Sequence, residues 1–105
     1  MLTVTDDTFT DVVLDQATPT VVDFWAEWCP SCKRLAPVLA ELDEEFGDRL
    51  RVVKINADEN PAVVRAYGVL SLPTLLMFRD GEPVGELVGA RPKSALREVL
   101  TELSR

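Results

Sequence analysis

Apolar residues recur along this chain in two rhythms. From Pro30 to Phe46, the residues Leu35, Val38, Leu39, Leu42 and Phe46 fall three and four apart, the stripe of one amphipathic helix, and Gly47 ends it. Pro37 lies inside that stripe, where it removes one backbone hydrogen bond and predicts a kink. A second stripe, Ala95, Leu96, Val99, Leu100 and Leu103, predicts a C-terminal helix within "RPKSALREVLTELSR". Phe9, Val12 and Val13 repeat the spacing in "DDTFTDVVL", a helix opened by acids that suit its dipole. Asn60-Pro61 reads as an N-cap followed by proline at the first helical position, opening a short helix to Tyr67 and Gly68.

The other rhythm is an unbroken apolar run. "PTVVDFWA" (19–26) is nearly all apolar, as expected of a strand covered on both faces of a parallel sheet. "LTV" (2–4) and "RVVKIN" (51–56) are further strands. "PTLLMF" (73–78) and "PVGELV" (83–88) flank "RDGE", a hairpin with Asp80-Gly81 at its turn. The order βαβαβαββα predicts an α/β domain, with parallel strands first and an antiparallel hairpin last. No repeat, low-complexity tract or linker interrupts it, so residues 1–105 are expected to form one domain.

Composition and charge narrow the function. An apolar fraction of 47% supplies a core without disulfide staples. A net charge of −7 argues against nucleic acid or an anionic membrane as partner. No apolar run approaches the length of a membrane span. The opening "MLTVTDDTFTDVVL" has no basic n-region and carries aspartates too early for a signal peptide. The expected compartment is the cytoplasm, where thiols are kept reduced and structural disulfides are rare.

The chemistry concentrates in "FWAEWCPSCKR", Phe24 to Arg34, which holds both cysteines of the chain. Cys29 and Cys32 stand where a strand ends and a helix begins. Unpaired N–H groups and the helix dipole favour a thiolate there, and Lys33 and Arg34 add positive charge. Spacing of three on a first helical turn brings the two sulfurs within bonding reach. A structural disulfide closing so short a loop would contribute only about 2 kcal/mol. A zinc site normally wants four ligands, and this chain offers two cysteines and no histidine, leaving only a metal shared between chains. A redox dithiol fits best.

Asp23 is the one charged residue in "VVDFWA". A lone buried carboxylate has its pKa raised and suits a proton carrier for Cys32; a salt bridge with Lys54 serving only the fold is the alternative. Trp25 reads as core and Trp28, in the loop beside the thiol, as contact surface. The acids of "ELDEEFGD" read as a solvated helix face.

"VDFWAEWC..CK", "KINADENP", "YGVLSLPTLLMF" and "VGA" resemble the thioredoxin family, in order and over essentially the whole chain. The resemblance implies the thioredoxin fold, a central five-stranded mixed sheet flanked by four helices. It also implies reduction of protein disulfides by a monomer without bound cofactor, with electrons from an NADPH-dependent thioredoxin reductase. Position by position, Cys29 resembles the exposed attacking thiol and Cys32 the buried resolving thiol of a redox-active disulfide. Asp23 matches the buried carboxylate and Lys54 the lysine beside it. Pro73, after Leu72, matches a proline with a cis peptide bond. Trp28, Pro30, Leu72, Pro73, Gly89 and Ala90 fall on the substrate surface.

One departure is Pro-Ser between the cysteines, where the family usually has Gly-Pro. With Cys29 as N-cap, Ser31 at the second helical position restores a backbone N–H that the Cys29 thiolate can accept. That is expected to favour the reduced form and make the couple more oxidising. Proline directly after the first cysteine also resembles glutaredoxins, so a glutathione-dependent oxidoreductase is one alternative. A redox-sensing interaction subunit is another.

Overall fold

The computed structural model describes residues 1–105. Five strands form one mixed sheet in the order β1-β3-β2-β4-β5. These are β1 (Leu2–Thr3), β2 (Thr20–Trp25), β3 (Arg51–Asn56), β4 (Thr74–Arg79) and β5 (Glu82–Val88). β2 runs parallel to β3 and antiparallel to β4, so it lies at the centre of the sheet. Three α-helices, α1 (Pro30–Phe46), α2 (Pro61–Tyr67) and α3 (Lys93–Leu103), and one π-helical turn, Thr10–Leu14, flank the sheet. This is the α/β order the sequence predicts.

The unbroken apolar run of β2 is explained by two cores. Val21 packs on one face with Leu35, Leu39 and Leu42 of α1 and Leu96 and Leu100 of α3. Val22 and Phe24 pack on the other with Phe9, Val13, Val63 and Phe78. Side chains alternate along a strand, so Asp23 shares the α1 face with Val21 and lies under the start of that helix. At the hairpin turn Asp80 and Gly81 both have positive φ, 52° and 78°, the turn type that matches strand twist.

Three local expectations are corrected. The segment after β1 is a single turn closed by an i→i+5 bond from the Asp15 N–H to the Thr10 carbonyl, with Phe9 and Val13 buried but Val12 only half-buried. The turn is shorter and wider than the expected helix, but Phe9, Val12 and Val13 still pack against one core.

Asn60 precedes α2 but does not cap it. Its Oδ1 accepts the Asp6 N–H at 2.7 Å, and its amide donates to the Asn56 carbonyl at 2.9 Å. The carboxylate of Asp6 takes over the cap, accepting the N–H groups of Ala62 at 3.1 Å and Val63 at 3.0 Å.

The acids of α1 are not merely solvated. Asp43 accepts the Val52 N–H at 2.8 Å, Glu41 pairs with Lys93 at 2.6 Å, and Glu45 holds Arg97 through two bonds of 2.7 and 3.0 Å. They tie α1 to β3 and α3. Pro37 sits inside α1 without ending it.

Candidate active site

Cys29 ends the loop after β2 and is the N-cap of α1, with extended backbone at φ −100° and ψ 101°. Pro30 takes the first helical position, where a missing N–H costs nothing. Cys29 and Cys32 are joined as a disulfide with Cα atoms 5.3 Å apart. Cys29 Sγ accepts the Cys32 N–H at 3.3 Å. The Ser31 N–H does not reach that sulfur; the Ser31 hydroxyl does, at 3.5 Å. The expected extra donor is present, but it is the side chain.

Cys29 is 4% exposed and Cys32 1%, so the disulfide leaves only an edge of Cys29 to solvent. The cause is packing: both sulfurs cluster with Ala26, and Trp25 and Leu72 cover the cluster. The cation expected beside the thiol is partly neutralised, since Lys33 pairs with Glu27 at 3.1 Å.

Asp23 is 1% exposed, and its Oδ1 has no hydrogen-bond partner. Burial pushes its pKa up to about 7, against a smaller opposing pull from the Lys54 charge. Lys54 is the register neighbour of Asp23 across the β2–β3 ladder, yet the two form no salt bridge. The Lys54 ammonium sits over the Trp25 ring instead, 5.4 Å from its centroid. The fold-only alternative for Asp23, a closed ion pair, is therefore absent. Asp23, Cys32, Lys54, Trp25, Glu27 and Lys33 all line one cavity of about 190 Å³, with Ala36. A carboxyl group near neutrality and the second cysteine thus face a common space. Trp25 is only half-buried and lines this cavity, so it is not purely core.

The Leu72-Pro73 peptide bond is cis, and Pro73 is buried. The Pro73 carbonyl accepts the Gly89 N–H at 2.8 Å, which draws the Gly89-Ala90 corner to the same edge. The backbone N–H and carbonyl of Leu72 bond to no other part of the chain. Trp28 is 66% exposed, and its indole N–H donates to Asp58 Oδ2 at 2.8 Å. Leu70, two residues before Leu72 in the chain, is 96% exposed.

Sequence reasoning missed Asp58, Leu70 and Glu27. Asp58 and Leu70 sit inside segments already singled out, but their contacts and exposure depend on loop geometry that no periodicity encodes. No group of three or more His, Cys, Asp or Glu side chains is placed to hold a metal ion.

The comparisons with known proteins agree with this geometry. A family model described as Thioredoxin matches residues 1–102. The chain is similar to Thioredoxin 1 of Synechococcus elongatus, 48% identical over 97 residues, or 92% of this chain and 91% of that one. It is 50% identical to the thioredoxin of Mycolicibacterium smegmatis over 101 residues, 94% of this chain and 90% of the other. To the thioredoxin of Bacillus subtilis it is 54% identical over 82 residues, 78% of this chain and 79% of that one. Matches of this extent, on a fold that carries the cysteine pair at the head of α1, place the protein: the chain belongs to the thioredoxin family.

Proposed function

We propose that this chain reduces protein disulfides by dithiol–disulfide exchange, with Cys29 attacking and Cys32 resolving. Cys29 thiolate attacks one sulfur of a substrate disulfide. A bond forms between Cys29 and that sulfur, the substrate S–S bond breaks, and the first substrate thiolate leaves and takes up a proton. Cys32 passes its proton to the Asp23 carboxylate across their common cavity and attacks Cys29 Sγ. The Cys29–Cys32 bond forms, the second substrate thiolate leaves, and two electrons have moved to the substrate. No step calls for a metal or a bound cofactor.

The observation that carries this reading is the shared cavity. Asp23, with a pKa of about 7 and an unpartnered oxygen, is poised both to accept and to release a proton at neutral pH. Lys54, on the same cavity, holds that pKa from rising further.

An extended substrate segment pairs with the free backbone groups of Leu72, next to Pro73, as an added strand does at a sheet edge. Trp28, Pro30, Gly89 and Ala90 supply apolar contact around it. The whole of residues 1–105 acts as one domain and as a monomer, with disulfide-containing proteins as substrates. An NADPH-dependent thioredoxin reductase returns the electrons. A dithiol that must be held reduced fits a reducing compartment, and the cytoplasm is the proposed one.

The test is reduction of insulin disulfides, coupled to NADPH oxidation by thioredoxin reductase, beside the same assay with glutathione alone. Turnover with the reductase is expected. Turnover with glutathione alone would assign the glutaredoxin-like activity instead. No turnover with either, with one stoichiometric partner captured by a Cys32→Ser variant, would assign a redox-sensing subunit.

A further inference from the structure

The contact between Ser31 Oγ and Cys29 Sγ, 3.5 Å, is used by none of the steps above. A disulfide sulfur carries no hydrogen, so the hydroxyl is the donor and the sulfur a weak acceptor. The same sulfur accepts the Cys32 N–H at 3.3 Å, so two donors from the first turn of α1 converge on it. Only one of them is a side chain. Its position is held from both sides: Pro30 fixes the backbone before it, and the buried Cys32 follows it. Reduction turns the sulfur into an acceptor with a full negative charge, and charge-assisted hydrogen bonds are about twice as strong as neutral ones. The bond therefore strengthens on reduction and favours the dithiol.

We propose that the Ser31 hydroxyl sets the redox poise of this protein by donating to the Cys29 thiolate, which narrows its substrates to the more easily reduced disulfides. The inference rests on the reading of Cys29 as the attacking thiol. When glutathione reduces the protein, one glutathione thiolate displaces one cysteine from the Cys29–Cys32 bond. A second then attacks the glutathione sulfur, releasing oxidised glutathione and the other cysteine, and two electrons pass to the protein. Ser31 stabilises Cys29 on the thiolate side of that exchange. In the forward direction the same bond weakens as the Cys29 sulfur becomes neutral, so less driving force remains for the substrate.

Other charges near the pair are Lys33 with its partner Glu27, Arg34, Asp23 and Lys54 in the cavity, and Asp58 under Trp28. Substituting Ser31 changes none of them.

The experiment equilibrates the wild type, Ser31→Ala and Ser31→Thr with glutathione redox buffers and follows Cys29 alkylation against pH. Insulin reduction is measured on all three. Ser31→Ala keeps the backbone N–H and removes only the hydroxyl. Its equilibrium constant for reduction is expected to fall about tenfold, equivalent to about 30 mV for a two-electron couple, with the alkylation midpoint moving up in pH. Ser31→Thr, which keeps the hydroxyl, is expected to stay with the wild type. An alanine variant within about threefold of the wild type, about 15 mV, overturns the inference while wild-type insulin reduction leaves the proposed function standing. A threonine variant that falls with alanine overturns it as well. A wild type that neither reduces insulin nor labels first at Cys29 overturns the underlying reading, and the inference with it.

Discussion

Asparagine in place of Asp23 removes a charge that folding buries without a partner. The gap between the ordinary aspartate value of 3.8 and about 7 corresponds to about 4 kcal/mol, at about 1.4 kcal/mol for each tenfold in proton affinity. The native state holds its proton more tightly than the unfolded chain. Between pH 4 and 7 the unfolded chain has therefore lost a proton that the native state still keeps, and stability falls as pH rises. The contribution is fully present below about pH 4 and gone by about pH 7.

Asparagine does not ionise, so the difference between variant and wild type isolates this one group from the rest of the −7 charge. The amide brings N–H donors into a site with no partner for them, at a cost of about 1–3 kcal/mol at every pH. At pH 8 the variant is expected to be more stable by about 1–3 kcal/mol, and at pH 4 equal or less stable by a similar amount. Guanidinium denaturation of both oxidised proteins at pH 4, 6 and 8 measures it. A stability difference that does not change with pH would refute the reasoning. The same variant is expected to form the mixed disulfide normally and to resolve it slowly.

Three other outcomes are expected. Lys54→Met removes the charge that restrains Asp23, so the pH midpoint of the resolving step moves up, read from single-turnover rates against pH; an unmoved midpoint would separate Lys54 from Asp23. Trp28→Ala is expected to lower kcat/KM for a protein disulfide about tenfold, as loss of an exposed aromatic anchor does, with stability nearly unchanged in a thermal melt. Asp6→Ala leaves the Ala62 and Val63 N–H groups without their cap and is expected to cost about 1–2 kcal/mol in denaturant melts, with Cys29 alkylation unaffected.

Boundaries set by local chemistry were legible in the sequence. α1 runs from Pro30 to Phe46 because proline suits a first position and Gly47, at φ 57°, suits a helix end. β3 likewise coincides with "RVVKIN". What the sequence did not reveal lies in partners far along the chain. Asn60 has the right type and place for a cap, but an aspartate 54 residues away locks its side chain and supplies the cap itself. Glu45 looks like a solvent-facing acid until α3 brings Arg97, 52 residues on, against it.

The site divides the same way. Asp23 stood out as the one charge in an apolar strand, and its register opposite Lys54 makes an ion pair plausible. Side-chain direction decides otherwise, because the Trp25 ring takes the ammonium. Ser31 was legible as a departure between the cysteines. Which of its two donors meets the sulfur is a matter of rotamer, below what residue order can specify.

The proposed exchange requires the two cysteines to be unequal, with Cys29 the nucleophile. Its most direct test is alkylation of the fully reduced protein with limiting iodoacetamide near pH 7, followed by peptide mapping. Cys29 is expected to be modified well ahead of Cys32, with a pH midpoint below that of an ordinary thiol, about 8.5. Equal labelling of the two, or Cys32 labelled first, would contradict it.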